Sequence, residues 1–311
     1  MASEPLRRLP WHGVGTWSYC LRVVASLRAP SRTAVLTAVA RSLCRQEPPP
    51  LIFDDGLAVG LAGQDGAALS ERLLNEIPRP LVLAFTRWAC IRSRFTEDLV
   101  QQAVARGVEQ YVILGAGLDS FAYRRGDLLD RLQVFEVDHP ASQRWKLSRL
   151  GELGVKIPDS LVFTPVDFEH QTLREGLEDA GFSFRRSAVV SWIGVTMYLT
   201  LDAIQATLAT VAQCRPGTQI ALTYNQPPNS LDHLSREVVN IISSIATEMG
   251  EPFVSLFLPD EIEQLLRNHG FGDIAQFGPQ EARVAYFNGR AGIEIPGAQR
   301  LVTGSVRQPT Q

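Results

Sequence analysis

Read for the spacing of its apolar positions, the chain changes character near residue 110. Before that point apolar residues recur at helical spacing. "SRTAVLTAVARSLC" (31–44) carries a stripe at Val35, Leu36, Val39 and Leu43, with Ser31 placed as an N-cap. "RFTEDLVQQAVARG" (94–107) repeats the pattern through Leu99, Val100, Ala103 and Val104, and stops at Gly107, a residue suited to a helix terminus. From Tyr111 onward, short runs that are apolar at nearly every position alternate with helical stretches. They are "YVILGAG" (111–117), "LQVFEVD" (132–138), "LVFTPVD" (161–167), "SAVVSWIGV" (187–195) and "TQIALTYN" (218–225). Such runs suit strands covered on both faces. Their alternation with helices predicts an α/β fold of parallel strands joined by right-handed crossovers. "DIAQFG" (273–278) and "QRLVTGSV" (299–306) are placed to close the sheet, with a helix over "PQEARVAYFNGR" (279–290) between them.

Residues 226–258 break the rhythm. "QPPNS" opens a segment whose helical stripe, "LDHLSREVVNIISSIATEMG", predicts a lid beside the carboxyl ends of the strands, where ligands bind in open α/β sheets. "QEPPPLIFDDG" (46–56) reads as a proline-stiffened connection, and the first thirty residues as a mobile arm followed by a helix packed on the body. The expected organisation is an arm and helical cap over 1–107 and a core over 108–311.

Composition narrows the classes. A chain of 311 residues with 45% hydrophobic and 20% charged residues reads as an ordinary soluble globular protein. A net charge of −3 argues against a nucleic-acid partner. No apolar run reaches the roughly 18 residues of a membrane span. The four cysteines are widely separated and read as reduced, mostly buried thiols of a cytoplasmic protein. The five histidines form no metal-binding pair, so no metal is expected.

The chemistry sits at the strand ends. Gly115 and Gly117 let the backbone turn sharply and approach a ligand, with the next helix pointing its N-terminus at it. The strict dinucleotide fingerprint fails, because its third glycine falls on Ser120. Asp138, 21 residues beyond Gly117, ends the second strand where an acid accepts hydrogen bonds from ribose hydroxyls. Glu136 shares its parity but lies within the strand, and reads as facing a partner or the sheet rim. Asp167 and Phe168 end the third strand, the acid placed for an exocyclic amine and the aromatic for a ring face. Together they predict a pocket for an adenosine-containing ligand. On the residues alone, a nicotinamide cofactor and S-adenosylmethionine both remain open.

These stretches resemble the leucine carboxyl methyltransferase family, in its bacterial branch of S-adenosylmethionine-dependent methyltransferases, from about Ser31 to Val306. "SRTA", "FDDGLA", "RSRFTEDLV", "PVDFE", "SWIGVTMYLT" and "YFNGR" match that branch, and "QYVILGAGLDSFAYR" with "VFEVDHPASQRWK" are the most specific signatures. The resemblance implies a class I methyltransferase, Rossmann-like, with a seven-stranded, mostly parallel sheet whose seventh strand is antiparallel. It also implies an N-terminal helical cap and a helical insertion after strand five. S-adenosylmethionine would be the cofactor. Gly115 and Gly117 would pass under its methionine part, Asp138 would hold the ribose with His139 beside it, and Asp167 with Phe168 would border the adenine. Arg92 would reach the methionine carboxylate, with Arg94 in its place if the register shifts by two.

One position departs from the family pattern. The family has an acid just before the glycine of the fourth-strand motif, near the cofactor's ammonium; here it is Ile193. A lost charge-assisted hydrogen bond costs on the order of 1.5–3 kcal/mol, so weakened but real binding is expected. The reaction expected is O-methylation of a small molecule or peptide, with a carboxylate preferred over a hydroxyl because no general base stands out. Tyr198 and Tyr224 are the candidates for orienting the acceptor, and Trp11, Trp17, Phe253 and Phe257 suggest an apolar pocket around it. The rival readings are a non-catalytic S-adenosylmethionine-binding protein and a nicotinamide-dependent oxidoreductase.

Overall fold

The computed structural model describes residues 31–47, 51–168, 170–288 and 293–308. The expected N-terminal arm, with Trp11, Trp17 and Cys20, lies outside the described residues. Among the described residues three helices precede the sheet: α1 (Arg32–Cys44), α2 (Ala58–Glu76) and α3 (Arg79–Ala105). Ser31 caps α1, its hydroxyl accepting the Ala34 N–H at 3.2 Å. The helix read over 94–107 is the second half of α3. Pro80 sits in the first turn of that helix, where its fixed φ and missing N–H cost nothing. The apolar stripe of α3 begins at Val82, packed with Leu36 and Leu73 of the other cap helices. It ends at Val100, Ala103 and Val104, packed on Tyr111 and Ile113 of the sheet. The expected boundary at residue 107 therefore falls just after a helix shared by both layers.

The sheet has seven strands: β1 (Gln110–Leu114), β2 (Gln133–Asp138), β3 (Leu161–Pro165), β4 (Val189–Trp192), β5 (Gln219–Asn225), β6 (Phe271–Phe277) and β7 (Gln299–Val306). Their order is β3-β2-β1-β4-β5-β7-β6. The first five pair in parallel, and β7 runs antiparallel between β5 and β6. This is the seven-stranded class I methyltransferase arrangement expected. The order reverses between β1 and β4, so the crevice at that switch point is where an open α/β sheet takes its ligand. Val112, Phe135, Val190 and Ile220 fill the largest core.

Two local expectations are corrected. β4 ends at Trp192, because Gly194 takes a left-handed φ of 75° and turns the chain into a 3-10 turn over Thr196–Tyr198. No long helix follows the glycine turn after β1. The chain there forms two four-residue pieces, α4 (Phe121–Arg124) and α5 (Gly126–Leu129), separated at Arg125. The glycine turn therefore offers its own backbone, not a helix dipole.

The remaining helices are α6 (Pro140–Glu152), α7 (Leu173–Asp179), α8 (Leu201–Val211), α9 (His233–Glu248), α10 (Pro259–Asn268) and α11 (Pro279–Phe287). Within the insertion, Ile245 of α9 joins the core of Leu36, Leu61 and Leu73, so insertion and cap share one apolar layer. After α9 the chain returns extended over the strand ends. There the Val254 N–H donates to the Met197 carbonyl at 2.6 Å and the Phe257 N–H to the Asn225 carbonyl at 2.9 Å. Cys44, Cys90 and Cys214 are buried free thiols. Among the described residues, no helix is long and apolar enough to cross a membrane, and no group of acids, histidines and cysteines is arranged to hold a metal.

Candidate active site

A cavity of about 510 Å³ lies at the carboxyl ends of β1, β2 and β4, roofed by α1, α3 and the returning insertion. The strand-end motifs meet in it. Gly115 and Gly117 line it after β1, Asp138 and His139 after β2, and Asp167 and Phe168 after β3. Gly115 has φ 66°, and a Cβ there would stand 2.5 Å from Val195 Cγ2, so only glycine lets β1 and the β4 loop close up.

Asp138 ties the turn to the next strand. Its Oδ2 accepts the Gly117 N–H at 2.5 Å and its Oδ1 accepts the His139 N–H at 2.7 Å. Burial raises its carboxyl pKa, with those N–H donors pulling the other way. His139 Nδ1 accepts the Ala141 N–H at 3.1 Å, which makes the ring the N-cap of α6 and leaves Nε2 as its donor. Asp167 meets His170 Nδ1 at 3.1 Å. Phe168 is 42% exposed at the cavity rim, so it is not a core residue.

The two arginines differ in position. Arg92 is 6% exposed and lines the cavity. Its Nη1 donates to Gln299 Oε1 at 2.5 Å and its Nη2 to Thr37 Oγ1 at 3.3 Å. Its Nε has no partner, and among the described residues no carboxylate pairs with the guanidinium. Burial pulls its pKa down to about 10, partly offset by Tyr198. Gly194 makes the room, since a Cβ there would stand 3.2 Å from Arg92 Nη2. Arg94 faces away, paired with Asp98 at 2.8 Å on an exposed surface. Ile193 lines the cavity and packs against Trp88, Ile91 and Phe277, an apolar cluster where a carboxylate would be poorly solvated.

The tyrosines separate. Tyr198 lines the cavity, its ring centroid 5.6 Å from that of Phe253 and its hydroxyl pushed up to about 12 by burial. Tyr224 is corrected as a site residue. It is absent from the cavity wall, and its hydroxyl donates to Gln276 Oε1 of β6 at 2.8 Å. Strand parity is the reason. Tyr224 shares the face of Ile220 and Leu222 in the main core, whereas its neighbour Thr223 takes the Gly194 N–H on its Oγ1 at 2.7 Å. Glu136 takes the first of its two expected placements and faces a partner, not the sheet rim. It is fully buried away from any rim and pairs with Lys146 at 2.6 Å, and burial pushes its carboxyl up to about 7.

Other residues escaped the sequence reading. Asp55, fully buried, accepts Arg41 Nε at 2.8 Å and the Ser120 hydroxyl at 2.7 Å, so the residue that breaks the dinucleotide fingerprint anchors the turn to the cap. The acid was in view in "FDDGLA", but nothing local names its partners. Glu251 lines the cavity from the insertion and accepts the Ser31 hydroxyl and the Arg32 N–H at 2.8 Å each, and the Thr33 hydroxyl at 2.5 Å. Its role arises from chain folding back across more than two hundred residues, which no short window shows.

The family model for leucine carboxyl methyltransferase matches residues 34–212. A Bacillus subtilis protein described as "Putative S-adenosyl-L-methionine-dependent methyltransferase YktD" is 30% identical over 281 residues, covering 84% of this chain and 92% of its own. A Mycobacterium tuberculosis protein of the same description, Rv1896c, is 33% identical over 191 residues, or 61% of this chain and 62% of its own. Among solved structures, a Thermobifida fusca protein titled "putative methyltransferase" superposes with a TM-score of 0.57 at 15% identity, covering 91% of this chain and 97% of its own. A DUF574 family protein from Streptomyces avermitilis gives 0.54 at 14% identity over 78% of this chain and 91% of its own. The structural matches carry the fold alone. The family match spans more than half of the sequence and YktD is matched over nearly its full length, so the chain belongs to the leucine carboxyl methyltransferase family of S-adenosylmethionine-dependent methyltransferases.

Proposed function

We propose that the chain methylates an oxygen of its acceptor, a carboxylate on a small molecule or peptide, with S-adenosylmethionine bound in the cavity at the β1–β4 switch point. The observation that carries this reading is the convergence of the glycine turn, Asp138, Asp167–Phe168 and an unpaired buried Arg92 on one cavity. The residues fit the cofactor. Arg92 would offer a buried cation to the methionine carboxylate, Gly115 would leave its backbone bare for the methionine chain, Asp138 would accept from the ribose hydroxyls, and Asp167 and Phe168 would border the adenine. When bound, the cofactor supplies a methyl group on a sulfonium, open to in-line displacement.

What remains for the protein is to position the acceptor and exclude water. Positioning of this kind supplies roughly 7–11 kcal/mol. Pro252 and Val254 of the returning insertion bring apolar surface to the cavity wall, and Tyr198 stands beside them. Three groups that could take a proton from a hydroxyl acceptor are committed elsewhere. His139 caps α6, Glu251 holds three donors from the start of α1, and the Tyr198 hydroxyl is too weak an acid to be ionised near neutrality. An acceptor that arrives already ionised needs none of them.

The test uses S-adenosylmethionine with a tritiated methyl and a panel of carboxylic acids, phenols, amines and peptides. A carboxyl methyl ester releases its label as methanol in mild alkali. Alkali-stable label on a phenol or an amine overturns the carboxylate reading. Failure of the demethylated cofactor, S-adenosylhomocysteine, to bind in calorimetry overturns the cofactor site.

A further inference from the structure

The cavity wall holds five carboxylates, Glu97, Asp119, Asp138, Asp167 and Glu251. Their commitments differ. Glu97 pairs with Arg124 and, at 3.4 Å, with Arg125. Asp138 accepts one backbone N–H on each oxygen and is already assigned to the ribose. Glu251 holds the start of α1. Asp167 meets His170. Asp119 stands apart. Its Oδ1 accepts the Phe121 N–H at 2.7 Å, while its Oδ2 accepts no hydrogen bond and no cation lies within ion-pair distance among the described residues.

Asp119 belongs to the same turn as Gly115 and Gly117, two residues beyond the second glycine. Tyr111 and Ser191, hydrogen-bonded to each other at 2.9 Å, line the cavity with it. The Asp119 charge is felt by its neighbours: after burial, it is the next cause raising the Tyr111 hydroxyl pKa. The cavity thus carries a buried cation without a carboxylate, Arg92, and a carboxylate without a cation, Asp119. Arg124 feels the Asp119 charge from beyond ion-pair distance, and a wall with one charge of each sign outside any ion pair is complementary to a zwitterion, the form an α-amino acid takes at neutral pH.

We infer that Asp119 binds the ammonium of the cofactor's methionine part. This rests on the proposed cofactor site and adds the residue that makes the site selective for the amino-acid half. The nucleoside half alone gains nothing from it.

Calorimetry with three probes tests this: S-adenosylhomocysteine, its des-amino analogue, and 5′-methylthioadenosine, which keeps the nucleoside thioether and lacks the amino-acid group. The unmodified protein should bind the des-amino analogue about 10-fold to 100-fold more weakly than S-adenosylhomocysteine. Asp119→Asn, which retains an acceptor for the Phe121 N–H, should weaken S-adenosylhomocysteine by a similar factor and leave 5′-methylthioadenosine within twofold. Equal weakening of all probes by Asp119→Asn, or no weakening of S-adenosylhomocysteine, overturns the assignment. If Asp119→Asn does not fold, the unmodified protein decides alone, and equal affinity for S-adenosylhomocysteine and its des-amino analogue overturns it. Failure of both S-adenosylhomocysteine and 5′-methylthioadenosine to bind the unmodified protein is the separate result that sinks the cofactor site.

Discussion

Thr223 and Tyr224 are neighbours on β5 and do opposite things, because successive side chains of a strand face opposite ways. Thr223 holds the Gly194 N–H beside the cavity, and Tyr224 hydrogen-bonds Gln276 in the sheet's far half. Tyr224→Phe is therefore expected to leave S-adenosylhomocysteine affinity within twofold in calorimetry. It should cost about 0.5–1.5 kcal/mol of stability in urea unfolding, the net worth of one hydrogen bond. Asp138→Asn is the contrasting case. An amide in place of the carboxylate sets an NH2 against either the Gly117 or the His139 N–H, and it offers the ribose a weaker acceptor. Affinity for S-adenosylhomocysteine is expected to fall by about 1.5–3 kcal/mol, roughly 10-fold to 150-fold. Unchanged affinity in this variant would remove Asp138 from the site.

At the scale of elements, the junction between α1 and the insertion decides whether the cavity stays roofed. Glu251 takes the two hydroxyls and one backbone N–H that begin α1, and α9 packs Ile245 into the same apolar layer. Glu251→Ala removes an acceptor at a helix N-terminus and leaves a buried threonine hydroxyl short of its partner. The expected cost is about 1–3 kcal/mol. Amide hydrogen exchange should rise in α1 and in residues 251–258 together while the strands keep their protection. Exchange rising in only one of them would mean that the two are not coupled. This junction also marks where sequence reasoning stops. The strand ends were legible because each motif is local: a both-faces-apolar run, then a glycine or an acid. The length of α4 was not read, although Gly126 follows its last turn as Gly107 follows α3; Arg125 breaks the helix through its backbone conformation (φ −104°, ψ 45°). The path of residues 251–258 was not legible either, since backbone bonds to Met197 and Asn225 set it. Tyr224 was misassigned for a related reason: strand parity was known, but which face looks into the cavity depends on the twist and on the neighbouring strands.

Across the whole molecule, one buried charge network holds the cap to the sheet. Asp55 accepts Arg41, Ser120 and the Leu57 and Ala58 N–H groups, and Arg124 approaches it at 3.6 Å. Arg41 also donates to the Leu118 carbonyl at 2.7 Å, inside the glycine turn. Arg124 continues to Glu97 on α3, so cap, turn and sheet helix meet through it. Burial pushes the Asp55 carboxyl up, but Arg41, Arg124 and the Ser120 hydroxyl outweigh it and hold its pKa below the ordinary value. A carboxyl whose folded pKa lies below its unfolded value of about 3.9 stabilises the fold above that value. As pH falls from about 5 the unfolded chain takes up the proton first, and the contribution drains away until the folded pKa is passed. Asp55→Asn leaves Arg41 buried without its charge partner, at an expected cost of about 3–5 kcal/mol at pH 7. The gap between the two proteins, read from urea unfolding at a series of pH values, should stay constant from pH 7 to about 5 and narrow between about 5 and 3. A gap that did not change down to pH 3 would mean that the ionised carboxylate of Asp55 is not what joins the cap to the glycine turn.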